Sequence, residues 1–280
     1  LGAIDPGTAV VWNESSPGLG GVGKSSLVAG AFGAALAVGD FNDDGYDDLA
    51  IGMPKATVGV FSGAGAVRVL YGSSVGLTNR GSQLLHQDSA SIDDAAEAGD
   101  AFGNTLAAAD RDRDGVDDLI VGVPYEDLGI HFDAGMVHVL SGKRGAGLVG
   151  QHQTLSLDAS HSTSDLQTEA GSYDFFGGSL AVCQRTVYQN YPYSIITDLA
   201  IGAPGRTVDG VPGAGEVFVF VYGRFPQVFN QNTTNVSPSN DAEPFDYFGS
   251  SLAFGEFSGK GPDLAVGVPG EDIGTAIDCG

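Results

Sequence analysis

The stretch AFGAALAVGDFNDDGYDDLAIGMP, residues 31–54, returns as AFGNTLAAADRDRDGVDDLIVGVP at residues 101–124. Two looser copies follow. FFGGSLAVCQ starts at Phe175 and leads to TDLAIGAP, ending at Pro204, and YFGSSLAFGEFSGKGPDLAVGVP starts at Tyr247. The glycines of the four Phe-Gly pairs, Gly33, Gly103, Gly177 and Gly249, are 70, 74 and 72 residues apart. A period of this size marks a chain built from repeated supersecondary units, each needing its neighbours to bury its faces.

Every copy has the same internal order. A short small-residue strand such as Ala34–Gly39 comes first, then a polar loop, then an apolar strand such as Asp48–Met53 stopped by Pro54. A glycine and an alternating strand follow, as in GAVRVLYG from Gly65, GMVHVLSG from Gly135 and GEVFVFVYG from Gly215. Apolar residues at every second position predict half-buried strands. A weaker fourth strand is expected at Ser82–His86. Four short strands per unit predict an all-β chain of propeller blades, with the Ala- and Gly-rich strands innermost, where blades crowd the axis. A β-sandwich is the alternative, but it does not require a repeat of this length.

The Phe-Gly pair, the D-x-N-x-D-G-x-x-D loop and the Gly-x-Pro ending resemble the FG-GAP repeats of integrin α-subunit propellers and their bacterial relatives. The resemblance implies a β-propeller of four FG-GAP repeats, one per blade, forming a single domain over residues 1–280. Integrin propellers have seven blades, so ring size does not carry over. The fourth repeat lacks its outer two strands, whereas Thr8–Asn13 and the segment after it look like outer strands without a blade. Unpaired strand edges seek partners. The N-terminal strands are therefore expected to complete the last blade, either within one chain or in a neighbouring copy, head to tail.

Composition bounds the function. Carboxylates outnumber Lys plus Arg by 35 to 12, for a formal charge of −23. Such a field repels nucleic acid and anionic membrane and attracts cations. No apolar run is long enough to span a membrane, so no membrane insertion is expected. The first residues show no signal-like segment, which reads as a mature or trimmed chain. Two cysteines, Cys183 and Cys279, leave a bridge, two thiols or an intermolecular bond open.

Two motifs invite a catalytic reading. GLGGVGKSS, Gly18–Ser26, fits the phosphate-loop pattern with Lys24 and Ser25. That loop must open a helix, but SSLVAGAFGAALAVGD follows, with strand character. Gly18-Leu19 also has the repeat phase of Gly76-Leu77, which makes the stretch a connection between outer strands. GSSVG, Gly72–Gly76, fits a nucleophile elbow but is the same connection in the next repeat, with no helix after it. The five histidines, at 86, 131, 138, 152 and 161, form no metal-ligand spacing. No catalytic constellation emerges, and the chain is expected not to be an enzyme. Phospholipases that resemble this family carry their chemistry in other domains.

Two loops do carry chemistry. DFNDDGYDD places oxygen side chains of Asp40, Asn42, Asp44 and Asp48 at positions 1, 3, 5 and 9, with Gly45 at 6. DRDRDGVDD repeats the spacing with Asp110, Asp112, Asp114, Asp118 and Gly115. Alternate residues of a tight loop point inward together, and the position-7 carbonyls of Tyr46 and Val116 add a ligand, an oxygen set suited to Ca²⁺ rather than Mg²⁺. The fourth repeat, Glu256–Asp263, is one residue shorter, with Lys260 where a ligand would stand. The third has no acidic residue between Cys183 and Asp198. Two calcium sites are expected.

The function that fits is a non-enzymatic, extracellular, calcium-binding propeller acting in adhesion or recognition, with a protein or glycan ligand at its loops. Tyr188, Tyr191 and Tyr193 are candidate contact aromatics, and Asn13, Asn232 and Asn235 head glycosylation sequons. One alternative is a subunit of a head-to-tail homopolymeric filament, and another is the propeller module of a larger secreted enzyme.

Overall fold

The computed structural model describes residues 9–19, 30–90, 92, 94–158, 166, 168–187, 194–221, 224–233, 236 and 241–272. Lys24, Tyr188, Tyr191, Tyr193, Asn235 and Cys279 lie outside the described residues. Among the described residues fourteen strands make antiparallel sheets. Blade 1 has the order β1 (Leu36–Gly39), β2 (Asp48–Met53), β3 (Ala66–Tyr71) and β4 (Thr78–Leu85). Blade 2 repeats it with β5 (Thr105–Ala109), β6 (Asp118–Val123), β7 (Met136–Ser141) and β8 (Gly150–Ser156). Blade 3 contains β9 (Ser179–Val187), β10 (Ser194–Ala203), β11 (Glu216–Phe220) and β12 (Gln227–Phe229). The described part of blade 4 is the pair β13 (Ser251–Gly255) and β14 (Asp263–Gly267). The chain is all-β in blades, as the repeat predicts.

The third strands are buried on both faces, not half-buried as their alternation suggests: all six residues of β3 are buried. Blades 2 and 3 are each stacked between two others, and in blade 1 Leu19 and Trp12 pack on the face of Ile51 and Leu70 that blade 2 does not cover, so both faces of these sheets need apolar side chains. Val67 and Val69 meet blade 2 at Phe102, Leu119 and Val121. Val137 and Val139 meet blade 3 at Phe176, Leu199 and Ile201. Val217 and Val219 meet Phe248, Leu252 and Phe254 of blade 4. The three interfaces reuse the same positions.

The recurring motifs explain one another. The phenylalanines Phe102, Phe176 and Phe248 are buried between blades, and the amide of each donates to the preceding blade at Ala64, Ala134 or Ala214. The chain crosses so close to Gly65, Gly135 and Gly215 that a Cβ there would lie 2.2–2.4 Å from the carbonyl oxygen of the partner phenylalanine. The glycine after each phenylalanine turns back with positive φ, and its amide donates to Gly52, Gly122, Gly202 or Gly267. The Gly-x-Pro glycine is needed because the next blade's Phe-Gly carbonyl crowds it. At Gly122 a Cβ would meet Gly177 O at 2.4 Å.

The N-terminal segment differs from expectation. Residues 9–13 form no strand. The Asn13 side chain accepts from Ser15 N at 2.8 Å and Ser16 N donates to Asn13 O at 2.9 Å, closing a turn that competes with strand pairing. Beyond it, Leu19 is buried and packs with Trp12 against Ile51 and Leu70 of blade 1. Arg68 donates to Leu19 O and the Asn79 amide to Pro17 O. The described start of the glycine-lysine stretch is thus a packed connection. On β1 Leu36 and Val38 are each 59% exposed, whereas the corresponding residues of blades 2–4 pack against a preceding blade.

Candidate metal centres

The two acidic loops join β1 to β2 and β5 to β6, and they share one backbone path. Position 4 is left-handed in both, at Asp43 (φ 53°) and Arg113 (φ 69°), as is the glycine at position 6, Gly45 (φ 86°) and Gly115 (φ 91°). The glycine was legible in the sequence. The left-handed fourth residue was not, because Asp and Arg do not advertise it.

Carboxylates fold each loop around themselves. Asp40 accepts from Asp44 N and Gly45 N, at 3.1 and 2.9 Å. Asp110 accepts from Arg113 N and Gly115 N, at 2.6 and 3.1 Å. The fifth-position carboxylates, Asp44 and Asp114, take the amides of Tyr46 and Val116. These bonds hold the carboxylates against the loop backbone. In the second loop Asp110, Asp112 and Asp118 each offer an oxygen, and the three lie within 4.8 Å of one another. Asp114 is not in that group. In the first loop position 3 is Asn42, whose Oδ1 is buried without a hydrogen-bond partner. An acceptor shut from water without a donor costs free energy that a bound cation would recover.

The ninth carboxylates do a second job that spacing alone does not reveal. Asp48 is buried, accepting from Phe41 N at 2.9 Å and from Gly72 N, past the end of β3, at 2.8 Å. Asp118 repeats this with Arg111 N at 2.9 Å and Gly142 N at 3.1 Å. Burial raises both carboxyls to about 6, opposed by those amide donors and assisted by the neighbouring loop carboxylates. Burial likewise pushes Asp110 up. The loop charges repel one another and call for a positive partner.

The loops also reach neighbouring blades. Asp117 Oδ2 accepts from Asp40 N at 3.1 Å, and Asp110 O accepts from the Thr197 hydroxyl at 2.7 Å. Turn amides of Lys143 and Gly145 donate to Phe41 O and Asn42 O. A cleft of about 600 Å³ opens beside the first loop, lined by Asn42, Asp44, Tyr71, Ser73 and Arg80 among others. Tyr46 is exposed and Val116 buried.

Repeats 3 and 4 lack this arrangement for different reasons. In repeat 3 the region read as a loop is a longer hairpin: β9 and β10 stay paired out to Val187 and Ser194. Asp198, in the place of Asp48, is held by Arg185 at 2.8 and 3.3 Å. A guanidinium stands at the carboxylate. In repeat 4 Asp263 accepts from Phe257 N, Ser258 N and Ser258 Oγ, and these donors depress its pKa. Cys183 is half-buried on β9, and burial raises its thiol. Of the sequons, Asn13 and Asn232 are exposed, with Asn232 Nδ2 donating to Asp209 at 3.0 Å.

Comparison with known proteins adds the family. A model described as "FG-GAP repeat" matches residues 32–70 and 102–140. Integrin alpha-5 of Xenopus laevis is 30% identical over 255 residues, covering 86% of this chain and 20% of that protein. Human integrin alpha-IIb is 44% identical over 95 residues, 33% of this chain and 8% of that protein. Mouse phosphatidylinositol-glycan-specific phospholipase D is 39% identical over 97 residues, 35% of this chain and 11% of that protein. The chain spans a fifth or less of the length of these relatives.

Proposed function

We propose, from the premise that this chain is an FG-GAP repeat protein, that it is a non-enzymatic, extracellular recognition module whose blades are fastened by two calcium ions. Residues 1–280 act as one propeller unit. The observation that supports this reading is the duplicated acidic loop, with its matched left-handed residues, the grouped carboxylates of Asp110, Asp112 and Asp118 and the unpartnered Asn42 oxygen. In the first loop Asp40, Asn42, Asp44, Asp48 and the Tyr46 carbonyl would hold the ion; in the second, Asp110, Asp112, Asp114, Asp118 and the Val116 carbonyl. The ion would neutralise carboxylates that now repel one another and fix loops that contact the next blade. No helix among the described residues is long and apolar enough to cross a membrane. The relatives named integrins support adhesion or recognition as the role. Recognition would fall to loops on this rigid frame, with a protein or glycan as ligand. Equilibrium dialysis should find two Ca²⁺ per chain, with Mg²⁺ failing to compete at equal concentration because it keeps its waters and needs a tighter octahedron. A chain with both Asp44→Ala and Asp114→Ala should bind neither calcium ion tightly. Tight binding retained in that variant would remove the reading.

A second reading, head-to-tail assembly by strand complementation, has one observation in its favour. The exposed Leu36 and Val38 stand on the side of blade 1 that a preceding blade covers elsewhere. Sedimentation at high concentration with calcium distinguishes the two: a single monomer species dismisses assembly.

A further inference from the structure

The blade junctions reuse one buried polar position, and its occupants change together. Two residues before each interblade phenylalanine stands a buried aspartate: Asp100, Asp174 or Asp246. Each accepts from an amide three residues earlier, at 2.5, 2.7 and 2.6 Å respectively. The second residue after the stop proline is Glu126 in blade 2, Arg206 in blade 3 and Glu271 in blade 4. At the 2/3 junction a cation takes this place. Arg206 donates to Asp174 and Glu216, both at 2.7 Å. The preceding blade contributes Leu157 there, a fully apolar neighbour.

At the other two junctions the arginine is a glutamate and the leucine is a glutamine. Leu85, Leu155 and Phe229 pair with Val67, Val137 and Val217, so Gln87, Leu157 and Gln231, two residues on, are equivalent. Gln87 is fully buried; its Nε2 donates to Glu126 Oε2 at 2.6 Å and to Asp94 at 3.1 Å. Gln231 is buried and its Nε2 donates to Glu271. In both glutamines Oε1 is shut from water without a donor. A buried amide oxygen stays unsatisfied unless a neighbouring group brings it a proton. A carboxylic acid beside a carboxamide satisfies both: the amide N–H donates to one acid oxygen and the acid O–H donates to the amide oxygen.

We infer that Glu126 and Glu271 are protonated in the folded protein, each donating its proton to the Oε1 of the glutamine from the preceding blade. Two of the three described junctions are thereby closed by a proton, and the third by Arg206. The surroundings of Glu126 support this. Gln87, Asp94, Glu97 and Asp100 face it, with Asp127 next in the chain, and His138 lies across Asp94 at 3.0 Å. Burial and those carboxylates raise Glu126 to about 9. Asp100 rises to about 7, chiefly by burial. At high pH the proton passes to solvent hydroxide and leaves a carboxylate against an amide oxygen, which loosens the junction.

The sign follows. A folded pKa raised above the ordinary value of 4.5 gives stability that is full below about 4.5 and declines until about pH 9. The test is Glu126→Gln, whose amide copies the protonated acid without being able to lose the proton. Measured with saturating calcium, its melting temperature at pH 7 should equal or exceed that of the parent. Its decline between pH 5 and 9 should be shallower, and Glu271→Gln should act alike and additively. An infrared carboxylic-acid band present at pH 7 should weaken in each variant. Glu126→Ala, which abandons Gln87, should be less stable than either. If Glu126→Gln melts lower than the parent at pH 7, fails to fold, or keeps the full pH slope, Glu126 is not protonated and the inference falls.

Discussion

Removing calcium is expected to lower the melting temperature by roughly 10 °C or more. An ion that binds only the folded state adds about 2.7 kcal/mol at a hundredfold excess over its dissociation constant. Two such sites give about 5 kcal/mol, and in a domain of this size each kcal/mol moves the midpoint by roughly 2–4 °C. Scanning calorimetry with and without a chelator measures it. Calcium should restore the midpoint and equimolar magnesium should not. The effect should be larger at pH 7 than at pH 5. Without the ion, Asp48 and Asp118 have folded-state values raised from 3.8 to about 6. Their cost to the ion-free fold therefore grows as pH rises from about 4 to 6, while binding of the cation, which needs them ionised, strengthens over the same range. A midpoint indifferent to chelator at pH 7 would refute two folding-linked sites.

Asp118→Ala is expected to be as damaging and, unlike the loss of Asp114, to be so even in chelator. Its carboxylate joins Arg111 N to Gly142 N across the base of the loop, and the side chain is fully buried. Deleting it leaves two amides without an acceptor, at about 1–3 kcal/mol each. Added to the one lost cation, this should lower the midpoint about as far as chelation of both sites, or further. In chelator, Asp114→Ala should sit near the parent because Asp114 is exposed, while Asp118→Ala should remain well below it. Asp118→Asn keeps one acceptor oxygen and should fall between. Equal melting of Asp114→Ala and Asp118→Ala in chelator would mean that Asp118 serves the cation alone.

The repeat, the blade architecture and both acidic loops were legible in the chain, because each depends on local spacing that recurs. The bounds of β2 and β6 follow directly from the loop aspartate and the stop proline. Alternation misjudged burial in β3, since blade 2 covers one face and Leu19 with Trp12 the other, and no single strand records what lies on its far side. The third repeat misled for a related reason. Loss of acidic ligands was visible, but its conversion into the extended β9–β10 hairpin depends on cross-strand pairing and on Arg185 meeting Asp198. The junction residues carried a readable trace in the aspartate two places before Phe102, Phe176 and Phe248. Their chemistry stayed hidden, because Gln87 and Glu126 stand far apart in the chain and meet only when blades stack. Sequence alone thus determined the units, their period and the oxygen donors of the loops, which are set by neighbours a few residues away. Tertiary structure alone decided which carboxylates are buried, which backbone amides they bridge and which charges share a junction, because burial and low dielectric arise only where separate blades close over them.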